Sequence, residues 1–76
     1  MAHERISVDA AVMGGVPCVR GTRVPVATVL DMFAQGMRDA EVLTAYPYLT
    51  GEDLRACLAY AAEVTQERVI ALDLTA

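Results

Sequence analysis

The chain has 76 residues, of which 55% are hydrophobic, and its six arginines, absent lysines and ten acidic residues give a net charge of −4. A domain this small buries only about 60% of its unfolded surface, so this apolar content predicts an interface with a second copy or a partner. The acidic balance argues against strong nonspecific binding to nucleic acid, and no run approaches the ~20 apolar residues that a membrane span needs.

The N-terminal part of the chain predicts two short strands. Alternation over Arg5–Val8 predicts the first strand, with Ile6 and Val8 on one face, and Pro17–Arg20 predicts the second. Residues 1–5 are polar, and we expect them to be frayed. Two strands alone are marginally stable in water, so they require a helix or another copy to pack against.

The middle of the chain predicts three helices. An apolar stripe at helical spacing runs through Val26–Gln35, and a short helix follows over Asp39–Ala45. A third helix begins after Thr50, which acts as its N-cap, with Asp53 three residues on completing a capping box. Three helices joined by short turns form a unit of the helix-turn-helix kind. The core stripe of the third helix is predicted to contain Leu54, Cys57, Leu58, Ala61 and Val64.

The last ten residues form an apolar tail in which Ile70, Leu72 and Leu74 alternate with period two. The tail either continues the third helix or adds as a strand to another sheet, and we favour the strand. The chain therefore divides into a β arm and Gly/Pro-rich loop (1–25), a helical bundle (26–66) and a tail (67–76), within one domain.

The loop between the strands and the first helix reads GGVPCVRGTRVP, in which glycine permits a positive φ and proline fixes φ. Arg20 and Arg23 flank a Gly-Thr pair there and present forked donors suited to carboxylate or phosphate. Two roles are open for these arginines. They could pin the turn by bonding carbonyls or the carboxylates of Asp9 and Asp31, or they could face an acidic partner.

The helix-turn-helix pattern also raises the possibility of DNA reading, in which the start of the third helix meets base edges. Glu52 and Asp53 would then face phosphates, while Arg55 is the side chain there that can read guanine. We therefore favour a scaffold and protein interface over direct DNA binding. Weak DNA binding within a larger complex would draw its contacts from Arg5, Arg20, Arg23 and Arg38.

Residues that carry chemistry are sparse. Cys18 and Cys57 are far apart and are expected to be reduced thiols of a cytoplasmic protein. His3 is the single histidine, so a four-ligand zinc site is out of reach. The chain has no lysine and hence no phosphate-binding loop of the GxxxxGK[ST] type. We expect neither enzymatic activity nor a cofactor or metal.

The pattern GG-x-P-x-x-RGTR-x-P, the apolar helix ending at Gly36 and the segment YPYLTGEDLRACLAYA resemble the uncharacterised domain family numbered 433. The resemblance covers roughly Ile6–Ala62. Members of that family are small prokaryotic proteins with a homeodomain-like helical fold, many of them classed as VapB-type antitoxins encoded beside a PIN-like ribonuclease toxin. The resemblance thus implies a mainly α fold, with a short N-terminal β-hairpin or arm and a homeodomain-like three-helix bundle.

The same resemblance implies a cytoplasmic antitoxin that binds and neutralises a PIN-like ribonuclease, as a homodimer or hetero-oligomer. PIN-like toxins carry clustered acids that bind a divalent metal, and an antitoxin arginine could pair with them. The candidates, in order, are Arg20, Arg23 and Arg55. The apolar tail would be either the toxin-binding anchor or a homodimer core, through Val69, Ile70, Leu72 and Leu74. The alternatives are a DNA-binding transcriptional regulator and a plain homodimerisation module.

Overall fold

The structure is a computed structural model, and it describes residues 3–66. A two-stranded antiparallel hairpin precedes three helices, which confirms the mainly α fold with a short N-terminal hairpin. The predictions for the tail and for the first two residues lie outside the described residues. The elements in chain order are β1 (Ile6–Ser7), a 3-10 turn (Met13–Gly15), β2 (Cys18–Val19), α1 (Val26–Ala34), α2 (Asp39–Ala45) and α3 (Gly51–Gln66).

The hairpin is shorter than the sequence pattern suggests. Ile6 pairs with Val19 and Ser7 with Cys18, and the side chains of Ile6, Val19 and Cys18 are buried. The expectation that Val8 shares the buried face of Ile6 is wrong, since Val8 is 62% exposed. β1 ends at Ser7, so alternation no longer determines the direction of the next side chain.

The core lies where the hairpin and the three helices meet, and both strands and all three α-helices contribute to it. Val29 of α1, Val42 of α2 and Leu54 of α3 are almost fully buried and form one cluster with Ile6 and Val19. α2 has the predicted bounds, and α1 begins at the predicted residue. Within residues 3–66, no helix combines the length and the apolar character needed to cross a membrane.

The end of α1 depends on a glycine. Gly36 has φ +90°, a left-handed conformation that side chains with a Cβ rarely adopt. Its amide donates to the carbonyl of Phe33 at 2.9 Å, and the next amide, of Met37, donates to Met32 at 3.1 Å. This pattern satisfies the last carbonyls of the helix and turns the chain towards α2.

The buried side of α3 differs in part from the predicted stripe. Leu54 and Cys57 are buried as expected, but Leu58 is 46% exposed and Val64 is 37% exposed, so the placement of these two residues in the core is wrong. Asp53 belongs to the buried side instead, with 8% exposure. At about 24 Å, α3 is nearly twice as long as α1 at about 14 Å, so its C-terminal half has fewer neighbours to cover it.

The start of the described chain packs against α3. The His3 ring meets the Tyr60 ring edge-on, with centroids 5.3 Å apart, and His3 Nε2 donates to Glu63 Oε1. That hydrogen bond holds the pKa of Glu63 below its usual value. The expectation of a frayed start is therefore wrong for His3 and Arg5, whose partners on α3 lie 47 to 60 residues away and are invisible to a local pattern.

Both thiols are free and fully buried, which leads to a prediction about alkaline stability. Burial, with a smaller contribution from the Asp53 carboxylate, raises the pKa of Cys57 from 9.0 to about 11. A folded-state pKa above the unfolded value stabilises the fold fully below pH 9, and this stabilisation is lost as pH rises towards 11. At pH 10 the loss should be about 1.4 kcal/mol, one pKa unit.

Urea unfolding of the native chain and of Cys57→Ala at pH 8 and pH 10 checks this prediction. Cys57→Ala should be less stable than the native chain at both pH values because it leaves a small cavity. From pH 8 to pH 10, however, its free energy of unfolding should fall by less than that of the native chain, and the difference is the contribution of Cys57. An equal additional loss in the two proteins would mean that Cys57 ionises in the folded state as easily as in the unfolded one.

Candidate partner-binding site

The loop that carries the arginines is a rigid turn between β2 and α1. The Val19 amide donates to the Val24 carbonyl at 3.0 Å, and the Thr22 amide and hydroxyl both donate to the Val19 carbonyl, at 3.0 and 2.7 Å. The Thr22 hydroxyl in turn accepts from the Val24 amide at 3.0 Å. Gly21 completes the turn with φ +81°, so the backbone fixes the positions of the two flanking arginines.

Arg20 is occupied within the fold. Its Nε donates to the Glu4 carbonyl at 2.5 Å and its Nη2 to the Ile6 carbonyl at 3.0 Å, while its amide donates to the Arg5 carbonyl at 2.7 Å. The guanidinium therefore ties β1 to the loop by bonding carbonyls. Of the two roles left open by the sequence, the structural one describes Arg20, although neither of the predicted carboxylates is its partner.

Arg23 is exposed and has no hydrogen-bond or ion-pair partner within residues 3–66. It lies with Arg20 on the wall of an open groove of about 490 Å³, whose other walls include Ser7, Asp9 and Thr22. The Asp9 carboxylate accepts from the Ala11 amide at 2.9 Å, so its negative charge is partly satisfied locally. The groove thus presents an unpaired guanidinium on a fixed backbone, ready to bind an anionic group.

The different bonding of the two arginines predicts different effects on stability. Arg20→Ala should lower the free energy of unfolding by about 1 kcal/mol, because two charge-assisted bonds to carbonyls are lost at an exposed site. Arg23→Ala should change it by less than about 0.5 kcal/mol, as for a surface residue without partners. Urea denaturation followed by circular dichroism compares them, and equal losses would contradict the division of roles.

Side chains of the protein itself satisfy the N-terminus of α3, where backbone amides are unpaired and the helix dipole is positive. Asp53 Oδ2 accepts from the Thr50 amide at 3.0 Å, and the Thr50 hydroxyl accepts from the Asp53 amide at 3.2 Å, which confirms the predicted capping box. Arg5 Nη1 donates to Asp53 Oδ1 at 3.1 Å, and its Nη2 donates to Glu52 Oε1 at 2.7 Å. Arg5 is therefore committed to α3 and is withdrawn from the set of potential DNA contacts.

The outer face of α3 is poorly equipped to read bases. Arg55 is exposed on it and has no hydrogen-bond or ion-pair partner within residues 3–66, and Glu52 precedes it by one turn. One and two turns further on, the exposed positions are Ala59 and Ala62. Base recognition in the major groove requires side chains that form hydrogen bonds, such as Arg, Asn or Gln. Among these four positions Arg55 and Glu52 carry such a group, and Glu52 is already bonded to Arg5.

A second groove, of about 220 Å³, lies between α1 and the C-terminal half of α3. Val16, at its edge, is 41% exposed and Val64 is 37% exposed, so apolar side chains face solvent there. We call this feature the apolar groove; its walls include Val16, Pro17, Val26, Leu30, Ala61 and Val64.

The structure separates the residues that the sequence nominates. It places Arg20 and Arg23 on one groove, whereas Arg55 lies on the outer face of α3 and does not line that groove. The four apolar residues nominated in the tail lie outside the described residues. Sequence reasoning missed the apolar groove and the Arg5–Asp53 contact, because each joins segments more than 30 residues apart.

Within the same described part of the chain, no three or more His, Cys, Asp or Glu side chains are grouped so that they could hold a metal ion. The acidic side chains at the start of α3 instead contact Arg5. What the two grooves offer is binding: a cation in one and apolar surface in the other.

Two individual proteins are similar to this chain, one by sequence and one by structure. The chain is 40% identical over 60 residues to the uncharacterized protein y4eO of Sinorhizobium fredii (strain NBRC 101917 / NGR234). The match covers 79% of this chain but 27% of that relative, so the chain spans about a quarter of the relative's length. A crystal structure of a DUF433 member protein from Anabaena variabilis ATCC 29413 matches with a TM-score of 0.76 and 39% identity, over 88% of this chain and 68% of that one.

A family model gives the broader assignment. The model described as "Protein of unknown function (DUF433)" matches residues 6–61, a range that runs from the first residue of β1 into the C-terminal half of α3. The match therefore includes the hairpin, the loop that carries Arg20 and Arg23, all of α1 and α2, and most of α3. With most of its length covered in this way, the chain belongs to the DUF433 family.

Proposed function

We propose that this protein is the antitoxin component of a prokaryotic type II toxin–antitoxin system, which binds and neutralises a PIN-like ribonuclease. The observation that carries the proposal is Arg23: an exposed guanidinium without a partner in residues 3–66, on a turn fixed by four hydrogen bonds. A fold that immobilises a cation without using it internally is suited to an acidic partner.

The chemistry of the toxin explains why such a cation would inhibit it. Ribonucleases of the PIN-like kind hold a divalent metal with clustered carboxylates, and a guanidinium can pair with a carboxylate through two parallel N–H···O bonds. Arg23 would occupy the carboxylates that the metal needs, so that the ribonuclease loses its activity. Because the turn is already ordered, little backbone conformational entropy is lost when Arg23 binds.

Apolar contact would supply most of the affinity. Val16 and Val64 at the apolar groove, together with Leu58 on α3, are exposed in the structure. We assign the anchoring role to this surface and to the tail residues Val69, Ile70, Leu72 and Leu74. Burial of apolar surface contributes about 25 cal/mol per Å², and it can therefore hold a complex together while Arg23 confers inhibition.

Co-expression with the product of the adjacent gene tests the proposal. The two chains should co-purify, and the complex should cleave RNA more slowly than the toxin released from it by denaturation and refolding. A homodimer alone, with no complex, would contradict the proposal and favour a plain homodimerisation module. Salt-dependent binding of the isolated chain to duplex DNA would instead favour a transcriptional regulator.

A further inference from the structure

The apolar groove lies next to the point at which the chain leaves α3. Val64 and Thr65 line it, and Gln66 is the last described residue of the helix. The groove has a volume of about 220 Å³ and is open to water. Water against walls of this kind forms few hydrogen bonds, so an apolar chain segment would displace it favourably.

Ten residues follow Gln66, and their alternating apolar pattern suits binding to an apolar surface. In an extended conformation Ile70, Leu72 and Leu74 project to one side, while Ala71 and Asp73 project to the other. Such a segment offers three large aliphatic side chains to an apolar surface and leaves its carboxylate towards solvent.

We propose that the apolar groove binds the C-terminal segment of the same molecule, residues 70–74. The lengths allow it: residues 67–69 suffice to reverse the chain, and residues 70–74 extend over about 16 Å at about 3.3 Å each. Val26 and Leu30, which form the opposite wall, are about 6 Å apart along α1. The segment therefore reaches across the groove without unwinding α3.

Connectivity favours the same molecule over a second copy. A segment tethered by three residues has an effective concentration of the order of millimolar, well above the micromolar concentration of other copies. The apolar groove is then covered in the free protein, which accounts for a chain with 55% hydrophobic residues that needs to remain dispersed. The proposed function assigns the same groove and the same tail to the toxin, so the toxin would have to displace this segment. The self-docking itself concerns the free chain and is tested without a toxin.

Disulfide trapping in the full-length chain tests the proposal. Ala27 lines the groove and Ala34 does not, although both are exposed residues of α1. The pair Ala27→Cys with Leu72→Cys should therefore form an intramolecular disulfide at least about tenfold faster than Ala34→Cys with Leu72→Cys, at any protein concentration. The native thiols do not interfere because both are buried.

Two further measurements keep the test decisive. When paired with Ala27→Cys, cysteines at Ile70, Leu72 and Leu74 should react quickly and those at Ala71 and Asp73 slowly, as an extended segment requires. Val64→Asp should slow the trapping, whereas Leu58→Asp, on α3 but outside the groove, should not. Equal trapping of both alanine positions would overturn the proposal. Disulfide-linked dimers that increase with concentration would assign the groove to a second copy.

Discussion

Asp53→Ala is expected to lower the free energy of unfolding by about 2–3 kcal/mol, because one carboxylate both caps α3 and bonds the chain before β1. Asp53 accepts the Thr50 amide at the start of α3 and the Arg5 guanidinium from the chain before β1. Its side chain is 12% exposed, so water replaces these bonds only in part. The loss combines a missing helix cap with a half-buried guanidinium left without its inner partner.

A loss of that size is large for a chain of 76 residues, whose total stability is about 4–11 kcal/mol by the usual value per residue. Glu52→Ala is the matched control, since Glu52 also contacts Arg5 but its side chain is 75% exposed. It should cost less than about 0.5 kcal/mol. Urea denaturation of both variants compares them, and similar losses would show that the Asp53 contacts contribute no more than a surface ion pair.

The elements that the sequence predicts correctly are those specified by neighbouring residues. The bounds of α2 follow from its short apolar pattern and from Pro47, and the capping box of α3 follows from Thr50 and Asp53 three residues apart. Gly36 ends α1 because few other residues adopt its positive φ. Each of these signals lies within the element that it predicts or next to it, within reach of an argument from local pattern.

The errors arise where packing between distant segments decides the outcome. Leu58 fits the apolar periodicity of α3 as well as Cys57 does, yet no element within residues 3–66 covers it, so it is exposed in the structure. His3 lacks a local pattern of any kind, but Tyr60 and Glu63 provide it with partners. In both cases the missing information is which surface of α3 the N-terminal chain covers.

Packing between distant segments also changes the order in which Arg20 and Arg23 rank as partner-binding candidates. Arg20 and Arg23 are equivalent in the sequence, as two guanidinium groups that flank a Gly-Thr pair. The hairpin brings the Glu4 and Ile6 carbonyls to Arg20, which thereby becomes part of the scaffold. Arg23 projects from the same turn without a partner in residues 3–66, so the binding role moves to it.

Arg23→Glu is expected to weaken the proposed complex with the toxin by roughly thirtyfold to a thousandfold, or about 2–4 kcal/mol, without unfolding the chain. The reversal removes a guanidinium from the partner's carboxylates and places a like charge among them. Most of the change should appear in the dissociation rate, because the contact is short-ranged. Surface plasmon resonance at two salt concentrations measures both rates.

Arg38→Glu is the matched control for this reversal. Arg38 is also an exposed arginine, but it stands at the start of α2 and does not line the groove of about 490 Å³ that Arg20 and Arg23 share. Both substitutions change the net charge equally, so any effect on long-range attraction is common to them. If Arg23→Glu weakens the complex much more than Arg38→Glu does, the contact with the partner's carboxylates depends on the position of Arg23. Equal losses would mean that overall charge alone governs the association, and Arg23 would have no special role in inhibition.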